Sequence, residues 1–170
     1  TAQLLAIAAR LHEQSDGGFD ITSGILRRVW DFRSGQPPAA EAVAELMPLI
    51  GWQHVHWGAG HVQLSQAGME LDFGGFGKEY AADRAAAVLS ASGIRHGLVE
   101  LGGDIHVVGP HPDGSPWLIG IRHPRQPDQV LASIPVSRGG LATSGDYERC
   151  IVTPGRRYSH ILDARSGWPV

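Results

Sequence analysis

The sequence predicts an α+β domain in which N-terminal helices and a central helix pack on mostly antiparallel sheets. Three observations carry this expectation. Helical periodicity dominates as far as Gly51, an alanine-rich helix stands by itself at residues 77–92, and short strand-like segments bounded by glycine, proline or aspartate fill most of the remainder. Helices grouped first and strands grouped later argue against a doubly wound parallel sheet, in which the two alternate. With 170 residues, 42% hydrophobic and 18% charged, the chain is long enough to bury a core and is expected to form one domain over 1–170. A net charge of -3 and a pI near 6.3, without a long run of lysine or arginine, leave no electrostatic footprint for nucleic acid, and none is expected as a partner. Cys150 is the only cysteine, which excludes an internal disulfide framework and a thiolate metal cluster. The apolar runs are too short to span a membrane.

Leu4, Leu5, Ile7, Ala8 and Leu11 recur at helical spacing, and Ser15-Asp16-Gly17-Gly18 stops that helix. Phe19-Asp20-Ile21-Thr22 reads as a short extended link, with Thr22 or Ser23 as the cap of a second helix through Ile25, Leu26, Val29 and Trp30. After Pro37-Pro38, the spacing of Ala42, Val43, Leu46, Leu49 and Ile50 predicts a third helix over 39–50, ended by Gly51. The period then changes to two. His54–Trp57, Val62–Leu64 and Met69–Leu71 predict a three-stranded meander, which leads through glycines into the helix at 77–92. Beyond Gly93, strands are expected at 97–101, 105–108, 117–121, 130–136, 140–143, 147–152 and 158–162.

The corner Leu71–Asp83 joins a strand to a helix through Gly74, Gly75, Phe76, Gly77 and Lys78. Glycines admit a ligand close to the backbone, the first helical turn offers N–H groups and the positive end of the dipole, and Lys78 adds a mobile cation. The spacing is neither a dinucleotide fingerprint nor a Walker A loop, so tight helix packing accounts for the glycines equally well. Three further polar clusters lie at strand ends. Glu100-Leu-Gly-Gly-Asp104 is either a ligand-admitting turn or simply a hairpin. Thr143 to Arg149 combines hydroxyls, a turn glycine, carboxylates and a guanidinium, which suit phosphate oxygens or an ordinary Ser/Thr turn. Tyr158 to Asp163 sets His160 within three residues of a carboxylate, where it is either a general base or a structural histidine. His54, His56 and His61 invite a metal reading, but exposed strand residues explain them as well. The five tryptophans form no spaced stripe and are assigned to packing.

Taken together and in order, Ser15 to Asp20, Thr22 and Trp30, Asp72 to Lys78 with Tyr80 and Asp83, Leu101 to Asp104, Trp117, Ala142 to Tyr147, and Ser159 to Asp163 with Gly167 and Pro169 resemble the ApbE family, the FAD:protein FMN transferases. The resemblance implies a magnesium-dependent enzyme that splits FAD at its pyrophosphate, releases AMP and places FMN on a threonine or serine of an acceptor protein, commonly a subunit of a membrane redox complex. A FAD pyrophosphatase yielding FMN and AMP, or a non-catalytic flavin-binding module, stands as the alternative. Carried over by position, Gly74, Gly75, Phe76, Gly77 and Lys78 approach the flavin nucleotide, with Thr143 and Ser144 lining the FAD site. The resemblance further implies that the Gly77 carbonyl would help hold magnesium and that His160 would serve as the base. Glu79 departs from the glycine frequent after the lysine. The family's N-terminal FAD contacts and its closing magnesium ligands fall outside the sequence, so the domain is expected to be truncated at both ends, binding FAD weakly and turning over poorly. The resemblance also implies a periplasmic or membrane-anchored location on the outer side of the inner membrane.

Overall fold

A computed structural model describes residues 1–126, 128–145 and 149–170. These fall into two compact units, Thr1–Gly75 with Glu148–Val170, and Phe76–Tyr147.

In the first unit, helix α1 (Ala2–Gln14) buries Leu5 and Ala8, one turn apart. It ends at a turn in which Asp16 and Gly17 both take positive φ. The second predicted helix is a 3-10 helix, Ile21–Arg28, whose N-cap is Asp20 rather than Thr22 or Ser23. Asp20 has extended backbone (φ -147°, ψ 123°), so its carboxylate faces the first turn and accepts the Thr22 N–H. The third predicted helix divides into α2 (Ala40–Leu46) and a 3-10 turn, Met47–Leu49. Pro48 lacks the N–H that would bond to the Ala44 carbonyl, which ends the α-helical ladder there.

Strands β1 (Val55–Gly58) and β2 (His61–Leu64) pair antiparallel. The third strand of the expected meander does not form. Residues 69–71 spend their polar groups on the earlier 3-10 helix instead: Glu70 pairs with Arg27 and Arg28, and the next N–H, from Asp72, donates to the Ile21 carbonyl at 2.8 Å. In this unit Leu26, Trp30, Val43 and Ile151 form a buried cluster flanked by Phe32, Tyr158 and Trp168.

The second unit is built on helix α3 (Gly77–Ala91), which ends within a residue of the expected boundary and buries Ala82 and Ala86. It packs on β3 (Gly97–Leu101) and β4 (Asp104–Gly109). Small residues on that face allow the close approach. Strands β5 (Trp117–Arg122) and β6 (Val130–Val136) form a separate hairpin with Ile119 buried. Strand β7 (Gly139–Leu141) pairs with the other edge of β4, giving the order β3-β4-β7. It is shorter than the predicted 140–143 because the Thr143 N–H turns to a side chain, that of Asp104.

Returning to the first unit, β8 (Cys150–Thr153) and β9 (Arg156–Ser159) flank a two-residue turn at Pro154-Gly155, with Gly155 at φ +83°. The expected strands at 147–152 and 158–162 are thereby shortened and shifted; Asp146, Tyr147 and Glu148 lie outside the described residues. Every named strand pairing is antiparallel, and helices with antiparallel sheets make this an α+β fold as expected.

Candidate functional site

Asp104 is the centre of the second unit's polar cluster. It follows Gly102 and Gly103, which take φ +61° and +94° in the two-residue turn between β3 and β4, a conformation that glycine adopts without strain. The Glu100 carboxylate closes the turn by accepting the Gly103 N–H at 2.6 Å. The hairpin reading of this segment holds, and the turn delivers the Asp104 carboxylate. Asp104 is 2% exposed. Its Oδ1 accepts the Thr143 N–H at 3.2 Å, and its Oδ2 lies 2.6 Å from Lys78 Nζ as an ion pair whose angles do not make a hydrogen bond. The Thr143 hydroxyl donates to the Gly103 carbonyl at 3.3 Å, and Lys78 donates to the Gly102 carbonyl at 3.4 Å. Two segments, each 24 residues or more from the hairpin in sequence, thus converge on it. Lys78, with a side chain 51% exposed, keeps donors free for an anion.

Lys78 is placed by the first turn of α3. Phe76, at the N-cap, has a hydrocarbon side chain that satisfies no first-turn N–H, while its carbonyl accepts the Tyr80 N–H at 3.0 Å. The preceding corner belongs to the first unit. Asp72 Oδ1 accepts the Gly74 N–H at 2.7 Å, and a Cβ on Gly75 would stand 2.6 Å from the Phe19 ring. Glycine is thus required at 75 for packing on the Phe19 ring. Ser144 is exposed beside Thr143. Asp104 itself was weighed in sequence only as a member of its turn. Its central place follows from burial and partners, and the signal that could have singled it out was its position directly after a Gly-Gly pair.

His160 lies in the first unit, just after β9. Its main-chain N–H donates to the Arg149 carbonyl at 3.0 Å, and its Nδ1 lies 3.2 Å from the same oxygen. The nearby carboxylate does not partner it. Asp163 is held by Arg165, whose Nε and NH2 donate at 3.0 and 2.8 Å and whose main-chain N–H donates at 2.9 Å. The Arg165 side chain first, and its N–H second, hold the Asp163 carboxyl below its ordinary range against a small opposing effect of burial. The pairing raises the guanidinium in turn.

The metal reading of the histidines finds little geometry. His54 precedes β1 in a 3-10 turn, and His56 and His61 lie opposite Gln63 and Gly58. Among the described residues no group of three or more His, Cys, Asp or Glu side chains is placed to hold a metal ion.

The model of the ApbE family matches residues 1–170, the full length of the chain. The chain belongs to the ApbE family. A FAD:protein FMN transferase of Klebsiella pneumoniae (strain 342) is 34% identical over 173 residues, spanning 99% of this chain and 53% of that protein. The FAD:protein FMN transferase of Escherichia coli (strain K12) is 30% identical, over 99% of this chain and 51% of its own length. Among solved structures, the ApbE protein of Thermotoga maritima superposes with a TM-score of 0.85 at 36% identity, covering 99% of this chain and 56% of that one. The apo flavinyl transferase ApbE of Pseudomonas stutzeri gives 0.80 at 36% identity, over 99% and 54%. The chain spans about half the length of the curated relatives it matches. In ApbE terms, the three motif blocks that meet at Asp104 are among those on which the sequence resemblance rested.

Proposed function

We propose that the protein is a FAD:protein FMN transferase that moves FMN from FAD to a threonine or serine hydroxyl of an acceptor protein, with AMP as the leaving group. The observation that carries this reading is the convergence of Lys78, the Gly102-Gly103 turn and Thr143 on buried Asp104. It joins a half-exposed cation to a glycine turn and a hydroxyl, the parts that hold a nucleotide's phosphates. Gly74, Gly75, Phe76, Gly77, Lys78, Thr143 and Ser144 form the proposed FAD-binding set.

The chemistry divides among the residues as follows. The acceptor hydroxyl oxygen attacks the phosphorus of the FMN half, its proton passes to His160, and the pyrophosphate P–O bond breaks so that AMP leaves with the bridging oxygen. Lys78 offsets the charge on the phosphates. His160 suits the proton transfer because a neutral imidazole carries one bare ring nitrogen able to accept a proton.

Magnesium, which would neutralise phosphate charge, fits the described residues only in part. The Gly77 carbonyl, at the start of α3, offers one oxygen, and Asp104, the buried carboxylate nearby in the fold, is already paired with Lys78. Magnesium is proposed as a requirement of the reaction, where it would supply charge neutralisation on the substrate phosphates. The acceptor is proposed to be a subunit of a membrane redox complex, with the reaction on the periplasmic side of the inner membrane. No helix among the described residues is long and apolar enough to cross a membrane.

The test is incubation of the protein with FAD, magnesium and an acceptor domain, followed by electrophoresis and detection of covalent flavin fluorescence. A fluorescent acceptor band with release of AMP is expected. Free FMN and AMP without a labelled band would make the protein a pyrophosphatase, and intact FAD would reduce it to a flavin-binding module.

A further inference from the structure

We propose that Phe32 and the main-chain carbonyl of Arg149 position the His160 imidazole, fixing its proton on Nδ1 and presenting Nε2 as the atom that accepts a proton. The proposal rests on the reading of His160 as the proton acceptor.

Two groups of His160 converge on one oxygen, the main-chain N–H at 3.0 Å and Nδ1 at 3.2 Å from the Arg149 carbonyl. A carbonyl oxygen only accepts, and its two lone pairs serve both contacts, so the ring contact is a hydrogen bond only when Nδ1 carries the hydrogen. A neutral imidazole has one N–H. Its Nε2 is then a bare lone pair, the form a base requires. A single hydrogen bond still leaves the ring free to swing about it, and Phe32 supplies the second restraint. The Phe32 ring stands nearly perpendicular to the imidazole, at 85° with centroids 6.4 Å apart. Phe32 is itself braced. It stacks on Trp30 at 5.4 Å and 10°, and Trp30 is 4% exposed, donates its indole N–H to the Gly167 carbonyl at 2.9 Å and meets Trp168 edge-on at 5.3 Å. A continuous aromatic path therefore runs from the buried cluster of the first unit to the imidazole. Asp163, the carboxylate that sequence proximity would nominate as the orienting partner, is occupied by Arg165.

The experiment is long-range ¹H–¹⁵N correlation of the imidazoles in histidine-labelled protein, with His160→Gln used to pick out the relevant signals among nine histidines. At a pH where the ring is neutral, His160 is expected to show a protonated Nδ1 and a bare Nε2. Phe32→Ala should convert that signature to a mixture of tautomers. It should also slow FMN transfer about ten- to a hundredfold without changing FAD affinity, since small misplacements of a reacting group carry penalties of that order. Phe32→Leu, which keeps apolar bulk without the ring, should act like Phe32→Ala at an unchanged melting temperature, and Phe32→Tyr should restore both signature and rate. A protonated Nε2 in the unmodified protein, or a tautomer signature indifferent to Phe32→Leu, overturns the proposal. If His160→Gln leaves transfer intact while the tautomer responds to Phe32 as described, the positioning is supported and only the proton-transfer reading of His160 fails.

Discussion

Asp20 and Asp104 are both buried carboxylates, 5% and 2% exposed, yet they are satisfied in opposite ways. Asp20, in the first unit, is ringed by close donors: the Thr22 N–H at 2.8 Å, the Thr22 hydroxyl at 2.7 Å and the Trp52 N–H at 2.8 Å, with His12 Nδ1 at 3.4 Å. It caps one helix and ties it to the start of the next segment. Asp104, in the second unit, takes one N–H, from Thr143, and an ion pair with a lysine whose side chain is half exposed. The first arrangement fixes backbone; the second holds a mobile cation near a glycine turn. Burial alone does not separate a structural carboxylate from one that serves a site. What separates them is whether the partners are rigid main-chain donors or a side chain that can also reach a ligand.

The sharpest break of this comparison is Asp20→Ala. It strands two main-chain donors and a hydroxyl in a buried place, so chemical denaturation should show a loss of about 3 kcal/mol or more, on the basis that each unmet buried donor costs about 1–3 kcal/mol. A loss no larger than that of an average surface substitution would mean that water replaces the carboxylate and that Asp20 is not the cap it resembles.

Next in size is Lys78→Met. It leaves Asp104 buried without its counter-charge, a change that costs about 3 kcal/mol where both partners are buried, and less here because the lysine side chain is 51% exposed. Asp104→Asn should be milder in stability, since the freed lysine is solvated and one oxygen can still accept the Thr143 N–H. Its larger effect should fall on FAD, with affinity reduced roughly tenfold, about 1.4 kcal/mol, because Lys78 is no longer held beside the Gly102-Gly103 turn. Isothermal titration with FAD, paired with urea unfolding, measures both. If Asp104→Asn lowers stability as Asp20→Ala does and leaves FAD affinity alone, the two aspartates belong to the same class.

Much of the fold was legible because periodicity is local: α1, α3 and most strands follow from spacing and glycine punctuation. The failures differ in cause. The missing strand at 69–71 depends on groups distant in sequence, Arg27, Arg28 and Ile21, whereas the cap at Asp20 rests on the Thr22 N–H two residues on and was open to local reading. Pro48 was readable and should have divided the third helix. The site was legible as separate blocks, and the order of the blocks pointed to the family. That Asp104 joins Lys78 to Thr143 was not legible, because a residue's burial and the direction of its carboxylate are set by hairpin geometry. Nor could sequence show that Asp163, three residues from His160, is committed to Arg165.

That last pair gives the smallest effect and a sign that can be fixed. Arg165 holds the Asp163 carboxyl below its ordinary value near 3.8, so in the folded protein the group stays charged to lower pH than in the unfolded chain. A lowered folded pKa contributes stability that is fully present above the ordinary value and is lost as pH falls through the lowered one. Arg165→Ala removes the main cause and should return Asp163 towards its ordinary value, which carboxyl ¹³C titration reads directly. Urea midpoints of the two proteins should then converge as pH drops below about 3.8, the unmodified protein losing the more. The gap at neutral pH should be slight, since the Arg165 side chain is 58% exposed and water screens the pair. The His160 tautomer should be unmoved by Arg165→Ala, because its Nδ1 rests on the Arg149 carbonyl and not on Asp163. A tautomer that does change would make Asp163 an orienting group after all, reached through Arg165.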